Sequence, residues 1–355
     1  MHSSKTIFLL VIIGNLTACG RSKQKYPYAI KDFDASLQPY LTKIVSAGII
    51  KSSDSVENYV QKRTSIKELK RLAHSEHPVL RTVAVQGLLN RKEADPFETL
   101  MTHLDDTAYV TVSDGRVGYL EKVSDVIIQN GTWASEAQRQ ITIDKLITEH
   151  NYLKSAYEKL FSLSPEEKYY PYIKQMAESR WHYFEEIEKA LYALAKFKKE
   201  EDILFIKNKL MNVGADQLSG ISFSLMRKYP HDAYFEVLKR HFDDHLNPNV
   251  KQEYRLRIYA NGFFETVSVY KNKEAAAMLE KGLELLSHKD LDPWKKAHWK
   301  EVIVYAIWNN KCDAYKELRK RVTPEYSKME KEKAGYPEII VEPGRRVSTR
   351  IRWWD

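Results

Sequence analysis

The chain has 355 residues, 43% hydrophobic and 29% charged, with 56 Lys and Arg against 48 Asp and Glu. That composition can bury a core and excludes a disordered polymer, and the length fits two ordinary domains or one elongated repeat array. The net charge of +8 is spread by interleaving acidic and basic residues along the chain. This reads as solvated helix faces rather than a nucleic-acid stripe, so no nucleic-acid partner is expected.

The chain opens with a basic residue, Lys5, followed by the mostly apolar run Thr6 to Leu16 and then Leu16-Thr17-Ala18-Cys19. The run is too short to span a bilayer, which takes about 20 apolar residues, and matches a signal-peptide core in length. The order of basic residue, apolar run, small residue and cysteine resembles the lipobox of bacterial lipoproteins. The resemblance implies that residues 1–18 are a signal peptide and that Cys19 is the lipidated first residue of the mature protein. It implies a bacterial cell-envelope location with membrane attachment through the N-terminal lipid. Gly20, where an Asp would resemble an inner-membrane retention signal, points to the outer membrane, on its periplasmic or surface face, if the cell is Gram-negative. No later apolar stretch is long and uncharged enough for a transmembrane helix. With Cys19 lipidated, Cys312 has no intramolecular disulfide partner and reads as a small residue in a helical turn.

Residues 19–33 are polar and read as a tether between lipid and body. From residue 34 to 334 helix follows helix. Ile187, Ala190, Leu191 and Leu194 form one apolar helical face, and Ile203, Ile206 and Leu210 form the next. Helix starts are signalled by Asp95-Pro96, Asn247-Pro248, Asp292-Pro293 and Thr323-Pro324-Glu325. The fullest signal is Ser164-Pro165-Glu166-Glu167, which has the makings of a capping box. One segment breaks the rhythm. Tyr109-Val110-Thr111-Val112, then Ser113-Asp114-Gly115, then Val117-Gly118-Tyr119-Leu120 predict a small β-hairpin near 109–120 projecting from the helices.

The helices fall in pairs, of which 65–75 with 78–91 is the clearest. Between them stands Glu76-His77-Pro78-Val79-Leu80-Arg81, followed by Ala84, Gly87 and Leu88. An acidic residue ahead of a Pro-Val-x-Arg turn and spaced small and apolar residues resemble the HEAT-repeat family. The resemblance implies an all-α fold of the α-α superhelix (HEAT-like solenoid) type, with the hairpin as an insertion. Pro78 would stand in the first helical turn, Val79 and Leu80 in the core, and Ala84 and Gly87 where helices approach closely. Later pairs recur at roughly 30 to 40 residues, the period of helical solenoids. Stacked pairs of this kind present a long concave surface, on which proteins commonly bind.

Few residues point to chemistry. His241 and His245 stand at i and i+4, a spacing that suits a metal pair, but a site would need a third ligand, and solvent-facing residues at a helix end are the simpler reading. His74 and His77 fit turn and capping roles. Nucleophile-elbow, phosphate-loop and dinucleotide motifs are missing. Carboxylate pairs such as Asp105-Asp106 are not singled out as acid and base. No catalysis and no cofactor are expected. The tail, 335–355, carries two Pro and two Gly and then alternates apolar and basic side chains to Trp353-Trp354-Asp355. It reads as an extended segment that caps the last repeat or docks on a partner. The expected function is a lipid-anchored, non-catalytic protein–protein interaction scaffold with Arg81, Arg116, Tyr119, Arg350, Trp353 and Trp354 as contacts. The alternative is an envelope lipoprotein that binds a ligand, a polymer or a metal.

Overall fold

The computed structural model describes residues 25–51, 55–113, 115, 117–131, 135–180, 182–212, 218–246, 260–287 and 293–334. These residues are predominantly helical, with a three-stranded sheet. They divide into two compact units, 1–178 and 179–355.

In the first unit a 3-10 turn at Ile30–Asp32 precedes α1 (Gln38–Ala47). That helix ends at Gly48, whose left-handed φ of 63° closes the cap and turns the chain into β1 (Ile49–Lys51). Next come α2 (Ser55–Arg63), α3 (Ile66–Leu72), α4 (Pro78–Leu89) and α5 (Pro96–Thr102). Strands β2 (Tyr109–Ser113) and β3 (Gly118–Lys122) follow, and then α6 (Val123–Asn130), α7 (Glu136–Thr148), α8 (Lys154–Leu160) and α9 (Tyr170–Glu178). Side-chain caps start several of these helices: Ser65 accepts from the Glu68 amide, Asp95 from Glu98, and Ser135 from Gln138.

Helix α4 is the centre of this unit. Pro78 occupies its first turn, and ten of its twelve residues are buried, Val79, Leu80 and Ala84 among them. It packs against α2 on one side and α6 on the other, with α3 and α5 also against it. At Gly87 an added Cβ would stand 3.2–3.3 Å from Gln61 of α2, so the absent side chain sets the close approach of the two helices. The expected hairpin is present: β2 and β3 pair antiparallel, with Tyr109 opposite Lys122 and Val112 opposite Tyr119. The third strand is an addition that the sequence reading lacked. Ile49 pairs in parallel with Thr111, Ile50 with Val112 and Lys51 with Ser113, and Ile50 is buried.

The second unit contains α10 (Phe184–Ala195), α11 (Glu200–Asn212), α12 (Gly220–Lys228) and α13 (Phe235–His241), the last running into a π-helical turn at Phe242–Leu246. After them come α14 (Ala260–Ser268), α15 (Lys273–Leu285), α16 (Pro293–Asn309) and α17 (Lys316–Ala334). Helices α10, α12, α14 and α16 pack each against the next in that series, while α11 lies on α10 and α13, and α15 on α14 and α16. The apolar face Ile187, Ala190, Leu191 and Leu194 is buried as its spacing predicts. Phe223, Phe263 and Phe264 continue the same core, and the Thr266 hydroxyl of α14 donates to the Phe223 carbonyl of α12 at 3.0 Å.

Two expected helix starts are corrected. Ser164-Pro165-Glu166-Glu167 does not open a helix; a 3-10 turn at Glu167–Tyr169 intervenes, and α9 begins at Tyr170. Tyr169 is fully buried and its hydroxyl donates to Asp144 of α7, which holds the chain in the tighter turn. Thr323-Pro324 lies inside α17 rather than at its start. The helix continues because Val322 is buried and Tyr326 stacks on Trp308 of α16 with 4.2 Å between ring centroids. The expected start at Asn247-Pro248 lies outside the described residues.

Among the described glycines of the second unit, the tightest helix approach is at Gly282 of α15. A Cβ there would stand 2.5 Å from a ring carbon of Phe264 and 3.2 Å from the Ile303 δ-methyl. Gly282→Ala is expected to lower stability by about 1–3 kcal/mol through over-packing. Gly87→Ala brings its Cβ to 3.2–3.3 Å from the Gln61 side chain and Cα, a milder crowding that a gain of about 1 kcal/mol of helix propensity offsets in part, so it should cost less than Gly282→Ala. Urea midpoints of the two variants test the ordering, which fails if Gly87→Ala proves the more damaging.

Candidate functional site

The turn from α3 to α4 organises one end of the first unit. Arg81, in the first turn of α4, is 2% exposed. Its Nε–H donates to Asp106 at 2.6 Å and its Nη2 to the other carboxylate oxygen at 2.9 Å, a two-pronged pair that matches the guanidinium fork. Its Nη1 donates to the Ser75 and Glu76 carbonyls at 2.9 and 3.2 Å. The Tyr26 ring covers the guanidinium at 3.7 Å. Arg81, expected among the partner contacts, therefore braces the turn from inside and offers no surface to a partner.

The same end holds the chain that enters the body. Tyr28 bridges in parallel to Ser75, its carbonyl accepting from the Glu76 amide at 2.9 Å. Lys25 pairs with Asp105 at 2.5 Å. Arg71 lies over the Tyr28 and Phe33 rings and donates to the Asp32 carbonyl, and Phe33 is 5% exposed. Within the stretch read as a tether, residues 25–33 are thus laid against α3 and the α3–α4 turn. Neighbouring carboxylates divide the work: Asp105 holds the entering chain and Asp106 neutralises Arg81.

His103 lies in this cluster, 4% exposed, its ring 5.4 Å from that of His74. Burial, reinforced by His74, Lys25 and Arg81 and opposed by Asp106, pushes its pKa from 6.5 down to about 4. His74 is lowered as well, also chiefly by burial. A histidine with a lowered folded-state pKa is neutral when folded, whereas the unfolded chain takes up a proton below pH 6.5. Stability is therefore complete above that pH and falls as pH drops toward 4, by about 3 kcal/mol from His103. Melting temperatures measured from pH 7 to 4 should fall across that window, and His103→Gln should flatten the fall. An unchanged pH slope in the variant would exclude His103 as its source.

The hairpin is the other feature of this end. By register Tyr109, Thr111, Leu120 and Lys122 share one face of the sheet, and Val110, Val112, Tyr119 and Glu121 share the other. Val110 and Glu121 are buried, and Glu121 is held by Lys154 at 2.9 Å. Exposed apolar side chains remain on both faces: Leu120 at 69%, Val117 at 65%, Tyr109 at 61% and Tyr119 at 44%. The strand order β1-β2-β3 leaves β3 at the edge among the described residues, so its outer backbone groups have no strand beside them. Lys122 turns toward Tyr152, donating to its carbonyl at 3.0 Å with the amine 5.0 Å from the ring centroid.

Tyr119 is thus exposed, while Arg116, Arg350, Trp353, Trp354 and Cys19 lie outside the described residues. The metal reading of His241 and His245 gains no support. His241 is 5% exposed and packed between the Phe223 and Phe263 rings at 5.2 and 5.4 Å, so it is a core residue rather than the solvent-facing one expected. The side chain of His245 lies outside the described residues. Among those residues no group of three or more His, Cys, Asp or Glu is placed to hold a metal ion, and no helix is long and apolar enough to cross a membrane.

The sequence reading also missed a recurring tyrosine. Ser155-Ala156-Tyr157, Asp232-Ala233-Tyr234 and Asp313-Ala314-Tyr315 each carry a tyrosine at most 2% exposed. The latter two are 3-10 turns that lead directly into α13 and α17. The repeated Asp-Ala-Tyr is the signal that could have found them. The chain matches no protein-family model, and no curated protein or solved structure shows significant similarity to it.

Proposed function

We infer that this is a lipid-anchored envelope protein acting as a non-catalytic protein-interaction scaffold, its helices arranged as a HEAT-like array. The array reading is supported by the next-but-one packing of α2, α4 and α6 in the first unit and of α10, α12, α14 and α16 in the second, the pattern that stacked helical pairs produce. The interaction reading is carried by one observation: β3 is an edge strand with Tyr119 exposed within it and Val117 exposed just before it. Soluble proteins blunt such edges with charge or cover them. An edge that is apolar over its first residues, before Glu121 and Lys122, suits an extended partner segment that adds a strand, main-chain hydrogen bonds giving affinity and alternate side chains giving specificity.

A photo-crosslinking amino acid at Tyr119 should capture one defined protein in intact cells, and the same residue at the exposed Glu93 should not. With the crosslinking residue kept at position 119, Val117→Lys should reduce capture of that protein by about tenfold or more, the scale of a lost hot spot. Equal capture with and without Val117→Lys would remove the hairpin from the interface.

A further inference from the structure

We propose that the outward face of the sheet, formed by Tyr109, Leu120 and Lys122 with Tyr152 beside them, rests on an anionic bilayer surface. The proposal rests on lipidation of Cys19. Six residue steps separate Cys19 from Lys25, which at full extension reach about 20 Å. Lys25 does not swing freely from the body. It pairs with Asp105 at 2.5 Å, Tyr26 covers Arg81 at 3.7 Å, and Tyr28 bridges to Ser75. A lipid on Cys19 therefore confines this end of the first unit to the headgroup region or its immediate border.

An exposed apolar surface within reach of this end is the outward face of the hairpin. Asp105 stands four residues before Tyr109, about 14 Å at most. Tyr109 is 61% and Leu120 69% exposed on that face, and Lys122 lies opposite Tyr109 in register. The Lys122 amine covers the Tyr152 ring, which is itself 36% exposed. An apolar centre rimmed by tyrosine and by lysines 25 and 122 is the composition that settles at a membrane–water boundary, where rings and lysine stems contact acyl carbons and polar tips meet headgroups. Of the acidic groups nearby, Asp105 is paired with Lys25 and Glu149 with Lys145, while Glu121 is buried on the opposite face with Lys154 and Asp125 is buried, accepting from the Ser155 amide. The protein partner proposed above would use the strand edge and the Tyr119 side, which this contact leaves open.

The test uses the full mature chain in vesicles of phosphatidylethanolamine and phosphatidylglycerol, with Cys312→Ser removing the other native thiol. An environment-sensitive fluorophore is placed at Leu120→Cys or, as a control in the same unit beyond the far end of α4, at Glu93→Cys. The expected result is a blue shift and quenching by nitroxide lipids at position 120 and neither at 93. Equal quenching at the two positions, or none at 120, overturns the proposal. The mass of the N-terminal peptide reports separately whether Cys19 carries acyl chains. If it carries none, the anchoring reading fails. The face is then read from a chain beginning at residue 20 and held on nickel-chelating vesicles by an N-terminal hexahistidine. Selective quenching at 120 in that arm upholds the bilayer contact, and its loss removes that as well.

Discussion

Replacing Arg81 with alanine is expected to lower the stability of the first unit by about 3–5 kcal/mol, the range for removing one member of a buried ion pair. Arg81 is 2% exposed, and so is its partner Asp106. The deletion strands a buried carboxylate that retains only the Ala108 amide at 3.3 Å. It also leaves the Ser75 and Glu76 carbonyls without their guanidinium donor. Asp106→Ala should be as damaging for the converse reason. Arg81→Met combined with Asp106→Leu should cost less than either alanine variant, since no charge is then left buried. Arg81→Lys should fall well short of rescue, because an ammonium lacks the planar fork that meets both carboxylate oxygens. Hydrogen exchange adds a local reading: amides of residues 25–33 should lose protection in Arg81→Ala, since the Tyr26 ring sits on the guanidinium. A loss under about 1 kcal/mol in urea unfolding would mean that water or another cation already serves Asp106.

The second large effect belongs to Tyr315. Its ring is fully buried at the entry to α17, and its hydroxyl donates to the Ser268 carbonyl at the end of α14 at 3.0 Å. Burial pushes its pKa far above the usual tyrosine range, so the hydroxyl stays protonated and donating at any physiological pH. Tyr315→Ala is expected to cost about 3–5 kcal/mol, as for other large aromatics removed from a core. Tyr315→Phe keeps the ring and loses the hydrogen bond, for about 1 kcal/mol. Tyr157, whose hydroxyl donates to the Met176 carbonyl at 3.2 Å, should show the same two-step ordering in the first unit. Guanidinium midpoints for the four variants check this. Equal losses for the alanine and phenylalanine variants at either site would show that the hydroxyl, not the ring, carries the effect.

What the sequence disclosed follows the range of each physical signal. Local chemistry was legible. Pro78 and Asp95-Pro96 open helices where their fixed φ and capping oxygen place them, and the alternation through Tyr109–Val112 ahead of Asp114-Gly115 yields the hairpin. The three-residue β1 is too short to show a period, and it exists because a distant strand offers it a partner. The Arg81–Asp106 pair spans 25 residues of sequence, so nothing local distinguishes Asp106 from its neighbour. His241 looked polar because two of the next three residues, Phe242-Asp243-Asp244, are acidic; Phe223 and Phe263, which bury it, come from other helices. Pro324 read as a helix start because a proline there is locally favourable, but the packing of Val322 and Tyr326 on α16 outweighs that preference. The recurring Asp-Ala-Tyr was legible in principle, being an exact repeat that packing then explains.

The placement of residues 25–33 against the α3–α4 turn has a consequence for the order in which the chain is made. In a chain that emerges N-terminus first, Tyr26 and Tyr28 appear long before the turn at residues 74–81, and Lys25 long before Asp105. The parallel pairing of Ile49 with Thr111 waits equally long. Residues 25–33 are therefore made early and dock late, and contacts so far apart in sequence slow folding. An arrested nascent chain ending near residue 100 lacks both Asp106 and β2, and should remain protease-sensitive throughout. One extended far enough for residue 130 to clear the ribosome should acquire protection in a single step.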